Sequence, residues 1–257
     1  MIRVVYVGHG TVQIEAGGTR LLTDPVLRGR IGYLGRIAAP PALDEIDHPD
    51  AVLISHAHFD HLDRRSLQLL RPCPAIAPRG CGRLLRRAGF RDVTEAVAGE
   101  PVRVGSVRVD PVTVSHDGRR HPFSRARDTF GYVIEAGAAR AFFAGDTDLF
   151  DGMSGLGGEL DVALLPIWGW GPRVGRGHMD PARAATATAR LRPRVVIPIH
   201  WGTIASPRAP WLDDPERPAR EFADQVAASA PGVEVRVLAP GERTEIAARP
   251  AGGSEPE

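Results

Sequence analysis

Cysteine is nearly absent: Cys73 and Cys81 are the two thiols in 257 residues. That excludes a disulfide-stapled scaffold, and both thiols are expected to stay reduced. A long apolar run is missing too. No stretch of roughly eighteen apolar residues occurs, so no membrane span is expected. Charge of one sign is likewise lacking. The 32 Lys and Arg residues against 31 Asp and Glu leave a formal net charge of +1, without the basic excess that usually marks a nucleic-acid binder. The short basic cluster Arg83, Arg86 and Arg87 has the spacing of a solvated helix face. The opening MIRVVYVGHG reads as a strand and not as a basic-then-apolar leader, so a cytoplasmic location is expected.

What is present fits an ordinary globular protein, with 43% hydrophobic and 25% charged residues. Alternation and apolar runs predict strands at Ile2–Val7, Thr11–Glu15, Arg20–Thr23, Ala51–Ser55, Ala75–Ala77 and Val107–Ser115. Further strands are predicted at Tyr132–Glu135, Ala141–Ala144, Val162–Leu165, Val195–Ile199, Val233–Leu238 and Thr244–Ala247. Helices are predicted over Asp63–Leu70, Gly82–Ala88 and Pro215–Ala230. Another starts at Asp180, an N-cap type with Pro181 behind it, and runs to Leu191. Pro25–Pro49 is a Gly/Pro-rich loop with no assignable element. Strands followed by helices in both halves suggest two sheets face to face with helices outside, an α/β architecture. No linker interrupts it, so one domain is expected over 1–248, with 249–257 a disordered tail.

The chemistry concentrates in Ser55-His56-Ala57-His58-Phe59-Asp60-His61-Leu62-Asp63. Three histidines and an aspartate in six positions are a dense set of zinc-ligand types. On a tight loop after a strand, His56 and His58 can turn to one point while Asp60 and His61 turn to a neighbouring one. A catalytic zinc keeps about three protein ligands and an open position, so further donors are needed. His116, Asp146 and His200 each sit at the end of a predicted strand and supply them. Five of the nine histidines then belong to one centre. Imidazole-rich sites suit Zn2+, with Mn2+ or Fe2+ as alternatives.

The segment HAHFDH resembles the HxHxDH signature of the metallo-β-lactamase superfamily, and His116, Asp146 and His200 match the remaining metal positions of that family. The resemblance implies a four-layer αββα sandwich of two mixed sheets. It implies one divalent metal on His56, His58 and His116, a second on Asp60, His61 and His200, and Asp146 between them. Gly8-His9-Gly10-Thr11, Leu22-Thr23-Asp24-Pro25, LPIWGWGPR, GHMDP and PIHWGT resemble the branch that holds N-acyl-phosphatidylethanolamine-hydrolysing phospholipase D and L-ascorbate-6-phosphate lactonase. The implied activity is hydrolysis of a small ester, lactone or phosphodiester by a hydroxide held between two metals roughly 3.5–4 Å apart.

Within that reading Asp60 orients the attacking water, and His178, at a position that faces the site in this branch, donates a proton. Trp168 and Trp170 are candidate pocket residues; His9, on a tight Gly-flanked turn, is a pocket residue, a support behind the ligands or a structural hydrogen-bonding group. Arg119 and Arg120, in a basic loop with His121 and Arg125, are candidates for holding a substrate anion. Asp24 can orient a ligand histidine, and Asp63 can do so or cap the following helix. The chain has no obvious amphipathic element for reaching a lipid surface, which argues against a membrane-lipid substrate. A nuclease of the same superfamily and a non-catalytic metal-binding or regulatory protein are the alternatives. Near-neutral charge weighs against the first and the complete ligand set against the second.

Overall fold

A computed structural model describes residues 1–41, 46, 48–121, 123–156, 159–208 and 212–249. Of the tail expected at 249–257, only Arg249 is among them, and its backbone N–H donates to Asp161 Oδ1 at 3.0 Å.

The chain begins with three strands, β1 (Ile2–Gly8), β2 (Thr11–Ala16) and β3 (Thr19–Thr23). Two short strands follow, β4 (Arg30–Ile31) and β5 (Leu34–Arg36), then β6 (Ala51–Leu53), α1 (Arg64–Leu67), β7 (Ala75–Pro78) and α2 (Gly82–Ala88). Strands β8 (Val93–Ala96), β9 (Val102–Val104), β10 (Val107–Thr113), β11 (Phe130–Ala136) and β12 (Ala139–Phe143) come next. The last part holds α3 (Met153–Leu156), β13 (Val162–Pro166), α4 (Pro181–Leu191), β14 (Val195–Ile199) and β15 (Ile204–Ala205). It closes with α5 (Arg217–Ser229), β16 (Glu234–Val235) and β17 (Arg243–Ile246).

Two seven-stranded mixed sheets result, ordered β17-β1-β2-β3-β6-β7-β8 and β16-β14-β13-β12-β11-β10-β9. Both are antiparallel at one end and parallel at the other: β3 pairs β6 in parallel, as β12 pairs β13. The alternating burial of β1 and β10 turns one face of each inward, and Ile2, Val4, Val107, Val109, Phe130 and Tyr132 meet in one shared core. Strands β13 and β14 are buried along their whole length because α4 covers the far side, with α5 packed beside it. On the outside of the other sheet, α1 and α2 close a second core around Val52, Ile54, Leu67, Ala75 and Leu85. These four layers are the αββα sandwich of the metallo-β-lactamase fold.

Most differences from the sequence reading are in length. The helix expected over Asp63–Leu70 spans only Arg64–Leu67, because the turn at Gln68 ends it ahead of Pro72. The strand expected over Val233–Leu238 shrinks to Glu234–Val235, which lie opposite Val195 and Val196 of β14. The loop Pro25–Pro49 does hold structure: β4 and β5 form a hairpin, and β15 joins its edge through Ile204 opposite Arg36. Strands of two or three residues carry no readable period.

Asp63 is the N-cap of α1. Its Oδ2 accepts from Ser66 N at 3.0 Å and Ser66 Oγ at 2.6 Å, and Arg28 donates to both carboxylate oxygens at 2.7 and 2.9 Å. Burial alone would raise this carboxyl, but the Arg28 and Ser66 hydrogen bonds outweigh it and hold it below the usual range. Asp63→Ala should cost about 1–2 kcal/mol of stability in urea unfolding, a lost cap plus a half-buried ion pair. A carboxyl depressed in the folded state stabilises above its unfolded pKa, and that contribution fades as pH falls through the folded value. The gap between wild type and variant should therefore shrink below roughly pH 4. Equal unfolding midpoints at neutral pH would remove Asp63 from the fold's supports.

Candidate metal centre

The site lies where strands end. The segment after β6 carries His56, His58, Asp60 and His61; His116 follows β10, Asp146 follows β12, and His200 follows β14. Parallel strands running the same way deliver their carboxyl ends to one edge, and tight turns there aim the side chains inward. Three site residues without the freedom of glycine occupy left-handed backbone: His9 (φ 58°), Asp24 (φ 36°) and His200 (φ 64°). Such conformations cost about 1–3 kcal/mol each and persist where the surroundings impose them, commonly at functional sites. Gly145 also has a positive φ of 60°, and a Cβ there would come within 2.6 Å of Ser55 Cβ. Only glycine lets Asp146 approach the loop after β6.

Two clusters form. In the first, His58 Nδ1 is 2.9 Å from His56 Nε2 and 3.1 Å from His116 Nε2. In the second, His61 Nε2 and His200 Nε2 are 3.1 Å apart, and Asp60 Oδ2 lies 3.7 and 3.9 Å from them. Asp146 stands between: Oδ2 is 3.1 Å from His61 Nε2 and 3.9 Å from His56 Nε2, and Oδ1 is 3.2 Å from His200 Nε2. All seven residues except His58 and His116, which are half-buried, are shut away from solvent.

Ring nitrogens this close repel unless something sits between them, and the remote nitrogens say which ones carry protons. His56 Nδ1 donates to Ser55 Oγ at 2.9 Å, and His61 Nδ1 donates to Asp24 Oδ2 at 2.8 Å. His116 Nδ1 donates to Gly177 O at 2.7 Å and His200 Nδ1 to Trp168 O at 3.1 Å. With those protons assigned outward, the facing nitrogens of His56, His116 and His200 present lone pairs to the centre, the tautomer a metal requires. Asp146, Asp24 and Asp60 overcome burial and hold His61 well above the ordinary value, so its facing nitrogen must release a proton to take a cation. Burial first, with like-charged neighbours, holds His56 and His200 well below the ordinary histidine value. Burial also lowers His58, and takes His116 down to about 4 despite the Asp146 carboxylate.

Asp146 supplies the test of whether cations fit. Both its oxygens are buried and lack any partner with hydrogen-bond geometry among the described residues. Burial would raise such a carboxyl, but His200, His61 and His178 outweigh it and hold it well below its usual value. Asp60 is held down in the same way by His61 and His9. Ionised carboxylates facing bare imidazole nitrogens make a donor set for divalent cations, and the residues present fit them.

The supporting residues are equally specific. Asp24 is fully buried; it accepts from Ser55 N at 2.7 Å and Ser55 Oγ at 2.5 Å as well as from His61. One carboxylate thereby orients His61 directly and His56 through Ser55. Asp63 acts on the helix and not on a histidine.

His9 does not line the open space beside the centre. It is buried, its Nε2 meets Asp60 Oδ2 at 3.0 Å, and its ring lies 3.8 Å from that of His200. His178 is drawn into the site: Nδ1 donates to Arg176 O at 3.1 Å, and Nε2 is 3.1 Å from Asp146 Oδ2. Burial lowers it, but the Asp146 carboxylate prevails and the net shift is upward. Trp170 and Arg120 border the adjoining cavity, as expected of pocket residues. Trp168 instead packs against the core and serves the site through its backbone oxygen. Arg119 turns its side chain to Asp117 at 3.7 Å, and its backbone bonds His58. His121 lies with it outside the cavity over the centre.

Ser55, Gly177, Tyr33 and Phe59 were not singled out in the sequence. Ser55 sits inside the dense motif and could have been found there; Gly177 acts through a backbone oxygen, which no residue type announces.

Asp24→Ala should lower metal affinity about 10–100-fold by releasing two ligand histidines, read by titration with a competing chelator. Asp146→Asn should lower the metal content of both clusters together. Affinity unchanged in both variants would contradict this arrangement.

The comparisons with known proteins agree with the geometry. The family described as "Beta-lactamase superfamily domain" matches residues 19–201. A protein of Deinococcus radiodurans named UPF0173 metal-dependent hydrolase is 35% identical, over 96% of this chain and 100% of its own. One of the same name from Aeropyrum pernix is 33% identical over 96% and 98%. Among solved structures, Igni18, described as a metallo hydrolase from Ignicoccus hospitalis, superposes with a TM-score of 0.69 at 26% identity, covering 95% of this chain and 97% of that one. This chain belongs to the metallo-β-lactamase superfamily and, within it, to the UPF0173 metal-dependent hydrolases.

Proposed function

We propose that the protein hydrolyses a small ester, lactone or phosphodiester with two divalent cations, Zn2+ by the chemistry of the ligands. His56, His58 and His116 hold one, Asp60, His61 and His200 the other, and Asp146 lies between both. The observation that carries this reading is the set of ring nitrogens facing Asp146 while their outer nitrogens are tied to Ser55, Asp24, Gly177 and Trp168. When bound, such a pair of cations supplies Lewis acidity and lowers the pKa of water toward neutrality.

The chain's own residues do the rest. Asp60, fixed by His9 and bordering the cavity, orients the attacking water. His178 also borders the cavity and holds a proton on Nε2 against Asp146 Oδ2. From there it protonates the leaving oxygen as the scissile bond opens. No serine or cysteine nucleophile is required, and the raised thiols of Cys73 and Cys81, about 11 and about 12 by burial, are unsuited to that role.

His178→Gln should reduce turnover by about 10²–10⁴-fold with metal content retained. Turnover of bis-p-nitrophenyl phosphate and of a lactone panel, measured beside metal content, checks it. Unchanged kinetics would take His178 out of the reaction, and fully loaded wild type inert on every substrate would overturn the hydrolase reading.

A further inference from the structure

A cavity of about 460 Å³ opens over His58, Asp60 and His178. Its walls are apolar: Ile31, Tyr33 and Leu34 from the β4–β5 hairpin, Phe59 from the ligand loop, and Trp170 from the segment after β13. The Tyr33 and Trp170 rings meet edge to face, 5.7 Å apart at 85°. Tyr33 is 58% exposed and Phe59 51%. Large rings left in water and gathered at the mouth of one cavity mark a binding surface.

The wall is built in advance. Ile31, Leu34, Val26 and Ile204 form a small core against which Trp170 packs. Ser206 N donates to Trp170 O at 2.8 Å, and Arg36 ties the hairpin to Val7 O at 2.8 Å and Val26 O at 3.3 Å. A preformed pocket loses little ordering entropy when a ligand enters.

The charge lining the cavity points the same way. Among the described residues bordering it, Arg120 is the one arginine. Its guanidinium is directed at Ala57 O (2.5 Å) and Leu62 O (3.2 Å) and covers the Phe59 ring at 4.1 Å. It braces the ligand loop. Arg119 and His121 border a neighbouring cavity that shares His58 and Arg120 with this one, and there Arg119 faces Asp117. Beside the cations, a phosphoryl charge would meet His178, whose charge is already turned to Asp146, and Asp60 would oppose it.

We infer that the substrate is an uncharged carboxylic ester or lactone bearing an aromatic group, seated among Tyr33, Phe59 and Trp170. This rests on the hydrolase reading above and narrows it. The reaction balances without any co-reactant: water oxygen bonds to the acyl carbon, the acyl C–O bond breaks, and the leaving oxygen takes a proton. A lactone yields one hydroxy acid.

The test compares γ-phenyl-γ-butyrolactone with γ-butyrolactone, which share the reacting bond, and adds bis-p-nitrophenyl phosphate. On the metal-loaded protein kcat/KM should favour the phenyl lactone about tenfold or more. Trp170→Ala and Tyr33→Ala should erode that ratio, chiefly by raising KM for the phenyl lactone, and Trp170→Phe should keep most of it. Equal kcat/KM for the two lactones, or a ratio untouched by all three variants, would overturn the inference. Turnover of the phosphodiester with both lactones inert would also overturn it while the hydrolase reading stands. Loaded protein inert on all three would remove both.

Discussion

Everything at this site depends on one electrostatic constraint: an ionised carboxylate, Asp146, enclosed among the ring nitrogens of His56, His61, His178 and His200. Both of its oxygens are buried without a hydrogen-bond partner among the described residues. The imidazoles of His200, His61 and His178 outweigh the burial and keep the carboxyl ionised. The fold accepts it because strands β6, β10, β12 and β14 all end at one edge and bring complementary donors to it. Around that edge the backbone is bent into left-handed turns at His9, Asp24 and His200. Strain and buried charge occupy the same small region.

The outer shell explains why the centre keeps its shape. Asp24 binds three donors on Ser55 and His61, so two ligand histidines are oriented by one buried group. His9 fixes Asp60, while backbone oxygens of Trp168 and Gly177 fix His200 and His116. Arg120 holds the loop between the ligands from outside. The ligand loop is therefore braced from several directions, and the chemistry is left to the face that opens into the cavity.

The gathering of His56, His58, Asp60, His61, His116, Asp146 and His200 at one place was legible in the sequence because donor chemistry is written in residue type and position. HAHFDH is dense, and His116, Asp146 and His200 each follow an apolar strand. The two-sheet architecture was legible for the same reason, since alternation in β1 and β10 and continuous apolar runs in β13 and β14 are strong signals. Of the cavity's apolar wall, Trp170 was legible and the hairpin residues were not. Tyr33 and Leu34 sit on a hairpin too short to show a period, and its place is set by pairing with Ile204–Ala205, far along the chain. Arg120 looked like a free anion-binding group from its basic neighbours; only its contacts with Ala57, Leu62 and Phe59 reveal a brace. His9 could be read either as a pocket residue or as a support for the ligands, and its contact with Asp60 is of the second kind.

The most direct measurement of the central claim is anomalous scattering from crystals of the protein grown with Zn2+, recorded at the zinc edge. The account predicts two peaks per chain, one among His56, His58 and His116 and one among Asp60, His61 and His200, with Asp146 reaching both. A map with no peak at either cluster, or with zinc held only elsewhere on the molecule, would contradict it.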